Sequence, residues 1–528
     1  MVISLLLYTA CTPEPEAVAP RSPAQADAAT ALTRISVDVR GVRPSVEDLA
    51  AVEADPAVID ELTDSYLHDA RFPGRVRDLW SEIYLTRSES YLIYAYQYGL
   101  DDQAAFQQAI GDETLQILSY IADHDLPYTD LVTADWTMAN ETLAQMWPLD
   151  YPAGETGWKQ AHYTDGRPAA GVMATNSMWW RYTSTSSNAN RKRANAVSRI
   201  LLCNDYLVRP IEFDRNVNLL DSDAVNSALQ TNPACLNCHT SLDPLASYFF
   251  GFWWYDYTNP GEASYYFPER EPQYRSYTGT ERAYYGDPGF SLADLGQQIA
   301  SDNRFPMCAA EQATELLLRR PLTVEDEQRV VEHRDAFISG GLTVRALFKS
   351  IVADPAYLSG STDEPGFVPQ KMLTADLLAS TVEDLTGFVW TYANYDMLRS
   401  DAVGFRTLAG GADGYNVTAT ARTPNATLVL VQERLAEAAA AYAINAEPER
   451  LFAQLDFSET PETNRAAMVA QIQHLHRRVL GHTVAADGAE VAAALDLWTG
   501  VYAVEGTTQG AWAGVLSALL RDPDFLYY

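Results

Sequence analysis

The chain has 528 residues, 47% of them hydrophobic and 11% aromatic, enough apolar matter for several well-packed cores. With 37 basic against 70 acidic residues the formal net charge is -33. The summed field therefore repels phosphate backbones, which excludes nucleic acid as a partner and suits a basic one.

Residues 1–31 begin "MVISLLLYTACTPEPEAVAPRSPAQADAAT". A short apolar run ends in Thr9-Ala10-Cys11 and gives way to a Pro/Ala/Glu-rich stretch. Small residues before a cysteine, after an apolar run, resemble the lipobox of bacterial lipoproteins, in which that cysteine is lipidated and the polar stretch is a tether. Tyr8 stands where leucine is usual, and no Lys or Arg precedes the apolar run. The expectation is export, with Cys11 anchored by lipid to a membrane of the cell envelope, in the periplasm or at the outer membrane.

Residues 32–112 read as an N-terminal helical domain, in which "PSVEDL" offers Ser45 as a helix cap with Asp48 three residues on. Residues 113–360 hold the chemistry. Within "NRKRANAVSRILLC", Arg191, Lys192, Arg193 and Arg199 form the densest basic cluster of an acidic protein, and Cys203 closes the stretch. Further on, "NPACLNCHTSLDPLASYFFGFWWYDY" holds two of five cysteines and one of eight histidines.

Cys235-Leu236-Asn237-Cys238-His239 is the attachment pattern of a c-type haem. Two thiols three residues apart, on a turn entering a helix, reach the two vinyl groups of one porphyrin, and the next histidine is held under the iron. A redox dithiol would fit Cys-x-x-Cys alone, but no thioredoxin-like pattern surrounds it. A zinc site would need a fourth ligand and no second cysteine pair exists, while a structural Cys235–Cys238 disulfide leaves His239 unexplained. Leu245, Phe249, Phe252 and Trp253 fall on one face of a helix, as core or as the wall of a porphyrin site. Asp243-Pro244 is expected to break the turn so that a backbone carbonyl accepts from His239 Nδ1. Arg191, Arg193 and Arg199 are candidate partners for haem propionates.

Asn259 to Ser291 is rich in Tyr, Pro and Gly and reads as a loop or small β-hairpin. Met307 precedes Cys308, which can pair with Cys203 in an oxidising compartment; two small buried thiols are the alternative. "LTVEDE" offers Thr323 as a cap with Asp326, and Val344, Leu347, Phe348, Ile351 and Val352 keep helical spacing up to Asp354-Pro355. "STDEPGFVPQ", residues 361–370, reads as a linker. Residues 371–528 read as a C-terminal helical domain. There Trp512, Val515, Leu516, Leu519 and Leu520 repeat the earlier spacing before Asp522-Pro523. Each set follows an Arg-Arg pair, Arg319-Arg320 and Arg477-Arg478, so two similar helical units are expected. His474, His476 and His482 cluster, but spacing i, i+2 sends side chains to different helix faces. Period-2 alternation is scarce, so the fold class is mainly α: several small helical modules with irregular loops. No Walker loop, dinucleotide fingerprint, His-Glu-x-x-His or Gly-x-Ser-x-Gly elbow is present.

Several stretches resemble the planctomycete-type multidomain cytochrome c-like proteins. "DLVTADWTMANETLAQMW" is similar to the segment ahead of that family's haem module. Residues 170–258, with "AGVMATNSM" and the Cys-x-x-Cys-His stretch, resemble the haem module itself, and residues 290–360 the helical module after it. "LTRISVDVRGVRPSVEDLAAV" is similar to the opening of a related domain. "KMLTADLLASTVEDLTGFVW" resembles a module that the family places before the haem, yet it lies after it here. The resemblance implies one covalent haem c on Cys235, Cys238 and His239. It also puts Met173 and Met178 in the same module, as candidate sixth ligands ahead of Met307.

The expected activity is single-electron transfer with a redox partner protein. The alternatives are a non-haem envelope scaffold whose Cys235–Cys238 pair is a disulfide, and a peroxidase-like haem enzyme with an open sixth position.

Overall fold

Val344, Leu347, Phe348, Ile351 and Val352 are all buried along the helix Val344–Val352, and Trp512, Val515, Leu516, Leu519 and Leu520 are buried along Thr508–Leu520. Each stripe covers one side of a 3.6-residue repeat, so each helix hides that side against its neighbours. Such amphipathic helices make up the molecule. The computed structural model describes residues 26–208, 217–218, 220–254, 259–358 and 370–528, and 61% of it is helix. Among the described residues the strands form three antiparallel two-stranded pairs, each strand two or three residues long. The fold is mainly α.

Capping follows the local chemistry. Ser45 accepts from Asp48 N at 3.0 Å, and Thr323 with Asp326 closes a capping box ahead of the helix Glu327–Ser339. Proline ends both stripes: short helical turns restart at Pro355 and Pro523.

Two cores dominate. The first runs from Leu32 to Tyr357, and the helix Gln103–Asp123 crosses the domain boundary expected at residue 112. Burial explains the difference: Phe72, Trp80 and Phe348 pack as a ring cluster, so residues before 112 share their core with the segment near 350. The second core holds residues 372–528 and takes in Val37 from the first helix, Ala28–Arg40. Backbone pairing of Lys371 and Leu373 with Tyr528 and Leu526 closes this unit on itself.

Asn259 to Ser291 contains the small β-hairpin, one of its two expected forms, together with helical turns. Helical turns at Pro260–Ser264 and Tyr274–Tyr277 precede the strand pair Ala283–Tyr284 and Asp287–Pro288. The 361–370 linker, apart from Gln370, and Cys11 lie outside the described residues.

Candidate functional site

Asn232 and Pro233 set the start of the helix that carries the motif, Pro233–Ala246. Asn232 is extended and its side-chain oxygen accepts from Ala234 N at 3.0 Å, while Pro233 occupies the first turn, where no N–H is needed. Cys235, Cys238 and His239 therefore sit on the first two turns. Their i, i+3, i+4 spacing places them on one face.

Both thiols are free, so the two sulfurs are not joined to each other. Cys238 packs against the first core. His239 Nδ1 lies 2.8 Å from Asp243 Oδ1. Asp243 in turn accepts from Arg191 Nε at 2.7 Å and Nη2 at 2.9 Å, a two-pronged contact between neighbouring helices. The Asp243 side chain is 8% exposed and that of His239 20%. Burial raises the Asp243 carboxyl, but hydrogen bonds from His239 and Arg191 outweigh it, and the group ends below the usual aspartate range. A carboxylate only accepts, so Nδ1 is the donor and, in the neutral ring, Nε2 carries the free lone pair.

This corrects the expected backbone acceptor. The helix does not break at Asp243-Pro244; it runs through Pro244 to Ala246. One turn of unbroken helix brings the Asp243 carboxylate under the ring, and that carboxylate is the partner. The expected single face from Leu245 to Trp253 is also interrupted. The chain turns after Ala246 into Ser247–Phe249, and although Leu245, Phe249 and Phe252 are buried, Trp253 lies beyond the helix under Arg270 at 3.7 Å.

Of the basic cluster, Arg191 alone reaches the motif, through Asp243. Arg193 is buried and donates to the carbonyls of Tyr182, Phe252 and Trp253, tying the helix Arg191–Leu202 to the segment after the motif. Arg199 donates to Ile83 O and Tyr182 Oη. Both guanidinium groups are engaged by the protein's own oxygens, which places them as clamps and not beside His239. Met173 and Met178 are buried in the first core, to which Cys238 also packs, and Met307 is partly buried against it. Cys203, at the end of Arg191–Leu202, is joined by a disulfide to Cys308 on Arg304–Leu318. Among the described residues no group of three or more His, Cys, Asp or Glu side chains is placed to hold a metal ion, His474, His476 and His482 included.

A second polar group in this region has no local sequence signal. Glu113 is 0% exposed on the helix Gln103–Asp123 and accepts from Tyr163 Oη at 2.6 Å, Thr137 Oγ1 at 3.0 Å and Ser177 N at 2.9 Å. Ser177 precedes Met178, so this carboxyl holds the turn that positions the methionine. Burial pushes Glu113 up from 4.5 to about 7, against those hydrogen bonds and the Arg167 charge. The folded chain then keeps the proton to a higher pH than the unfolded chain. Its contribution to stability is full below pH 4.5 and is lost as pH rises through about 7. Relative to Glu113→Gln, the native protein should lose on the order of 3 kcal/mol between those limits and nothing above them. Urea unfolding of both proteins from pH 4.5 to 8 checks this; a difference that does not vary with pH contradicts it.

Compared with known proteins, the chain matches no family model, no curated protein and no solved structure.

Proposed function

We propose that this chain is an exported c-type monohaem protein that transfers single electrons in the cell envelope. One observation carries the reading: two free thiols and an imidazole share the face of a helix start, and the imidazole's other nitrogen is already held by Asp243. That donor set fits a haem c. Cys235 and Cys238 would supply the thioether sulfurs and His239 Nε2 the iron ligand. Bound there, the haem supplies a one-electron couple. Asp243 fixes the ring's tautomer and orientation and raises the basicity of Nε2, and Arg191 keeps Asp243 ionised and in place. Met173 and Met178 would be the candidates for a further iron ligand, and both are buried in the first core, which runs from Leu32 to Tyr357.

The Cys203–Cys308 disulfide suits an oxidising compartment. Among the described residues no helix is long and apolar enough to cross a membrane, and lipid on Cys11 would supply the anchor. The charge of -33 would orient a basic redox partner.

The Cys235→Ala/Cys238→Ala double variant, made with the native protein in a host that attaches haem c, tests the reading. We expect native circular dichroism and complete loss of covalently held haem. Equal haem stain on a denaturing gel for both proteins would refute the attachment site.

A further inference from the structure

A cavity far from the motif in sequence lies between the helices Ala28–Arg40 and Phe72–Tyr84 on one side and Ala375–Thr386 on the other. Its volume is about 570 Å³, the size of a small polar ligand. Six arginines line it: Arg40, Arg71, Arg75, Arg77, Arg399 and Arg450. In a chain of net charge -33 that concentration of cations is not what composition alone would produce.

Most charges at the wall already have partners. Asp384 pairs with Arg71 and Arg478, Glu383 with Arg399, and Asp78 with Arg87. Arg75 does not. It is 4% exposed, its Nε donates to Asp38 O at 3.2 Å, and its Nη2 has no hydrogen-bond partner. Arg77 Nε, on the same helix, makes no hydrogen bond but lies 3.5 Å from Asp78 Oδ1, so its charge is already paired. A buried guanidinium nitrogen without an acceptor is costly, and a ligand oxygen in the cavity would satisfy it. A planar fork of N–H groups matches an oxyanion. Asp376 and Ser380 line the same space and can bind hydroxyl groups.

We propose that this cleft binds a hydroxylated small molecule bearing an oxyanion, of sugar-acid size, with the oxyanion on Arg75. The site is independent of the haem reading and joins the two cores, so its ligand would also brace them against each other.

Isothermal titration with glucuronate, sulfate and glucose at matched ionic strength tests the assignment on the full-length protein. Glucuronate is expected to bind more tightly than sulfate, and glucose not at all. Arg75→Gln should weaken glucuronate at least tenfold. Gly74 lines the cavity and has no atom within 4 Å of an added Cβ, so Gly74→Gln should fill the space, keep the fold and weaken glucuronate comparably. Sulfate binding without glucuronate binding would assign the cleft to a free inorganic anion and overturn the sugar-acid assignment. Absence of binding by either anion, or equal binding by the native protein and both variants, would show that the arginines only cement the seam.

Discussion

Replacing Asp38 with alanine is expected to destabilise the protein by about 3–5 kcal/mol, because it strands a buried cation. Asp38 is 0% exposed. Its Oδ2 takes Lys371 Nζ and Tyr357 Oη, and its Oδ1 takes Tyr528 Oη at 2.8 Å. Arg34, one helical turn earlier, donates to Tyr357 O. One carboxylate thus gathers the first helix, the end of the first core and both ends of the second. Burial pulls Lys371 down to about 8, although Asp38 pulls it the other way. Without Asp38 the ammonium would be buried with no counter-ion, the Tyr528 hydroxyl would lose its acceptor, and the Tyr357 hydroxyl would keep Arg34 O at 3.2 Å. The Asp38→Ala/Lys371→Met double variant should recover part of the loss, because it removes the stranded charge. Urea unfolding of the three proteins decides the matter. A cost below about 1 kcal/mol for Asp38→Ala would mean that the node does not hold the two cores together.

The Cys203→Ala/Cys308→Ala double variant should lose about 4–5 kcal/mol, on the argument that a cross-link removes loop entropy from the unfolded chain. The bond closes a loop of 105 residues, which contains the whole motif helix and the strand pair near Tyr284. It also joins the helix that presents Arg191 to Arg304–Leu318, so its loss should loosen the Arg191–Asp243 contact. Chemical unfolding of the variant and of the native protein provides the measurement. Identical midpoints would contradict the effect.

Much of this was legible in the sequence because it is written in local spacing. The stripes at 344–352 and 512–520, the caps at Ser45 and Thr323, and the Cys-x-x-Cys-His face each depend on residues within one or two turns. Asp243 was within that reach too, since His-x-x-x-Asp is an i, i+4 pair, but the following proline suggested a break. The proline removes one helical N–H, and the helix still runs two residues beyond it to Ala246. Glu113, Asp38 and Arg75 left no such trace. Their partners are up to 490 residues away, and only the packing of whole helices brings them together. For the same reason the boundary expected at 112 falls inside a helix: a core is a property of contacts across the chain, not of composition along it.

Spectroscopy and intact mass of the native protein, purified from a host that attaches haem c, test the central claim most directly. One haem per chain is predicted, visible as a pyridine haemochrome of c type and as a mass increment that survives acid extraction. Colourless protein of unmodified mass, with Cys235 and Cys238 both free or bonded to each other, would contradict it.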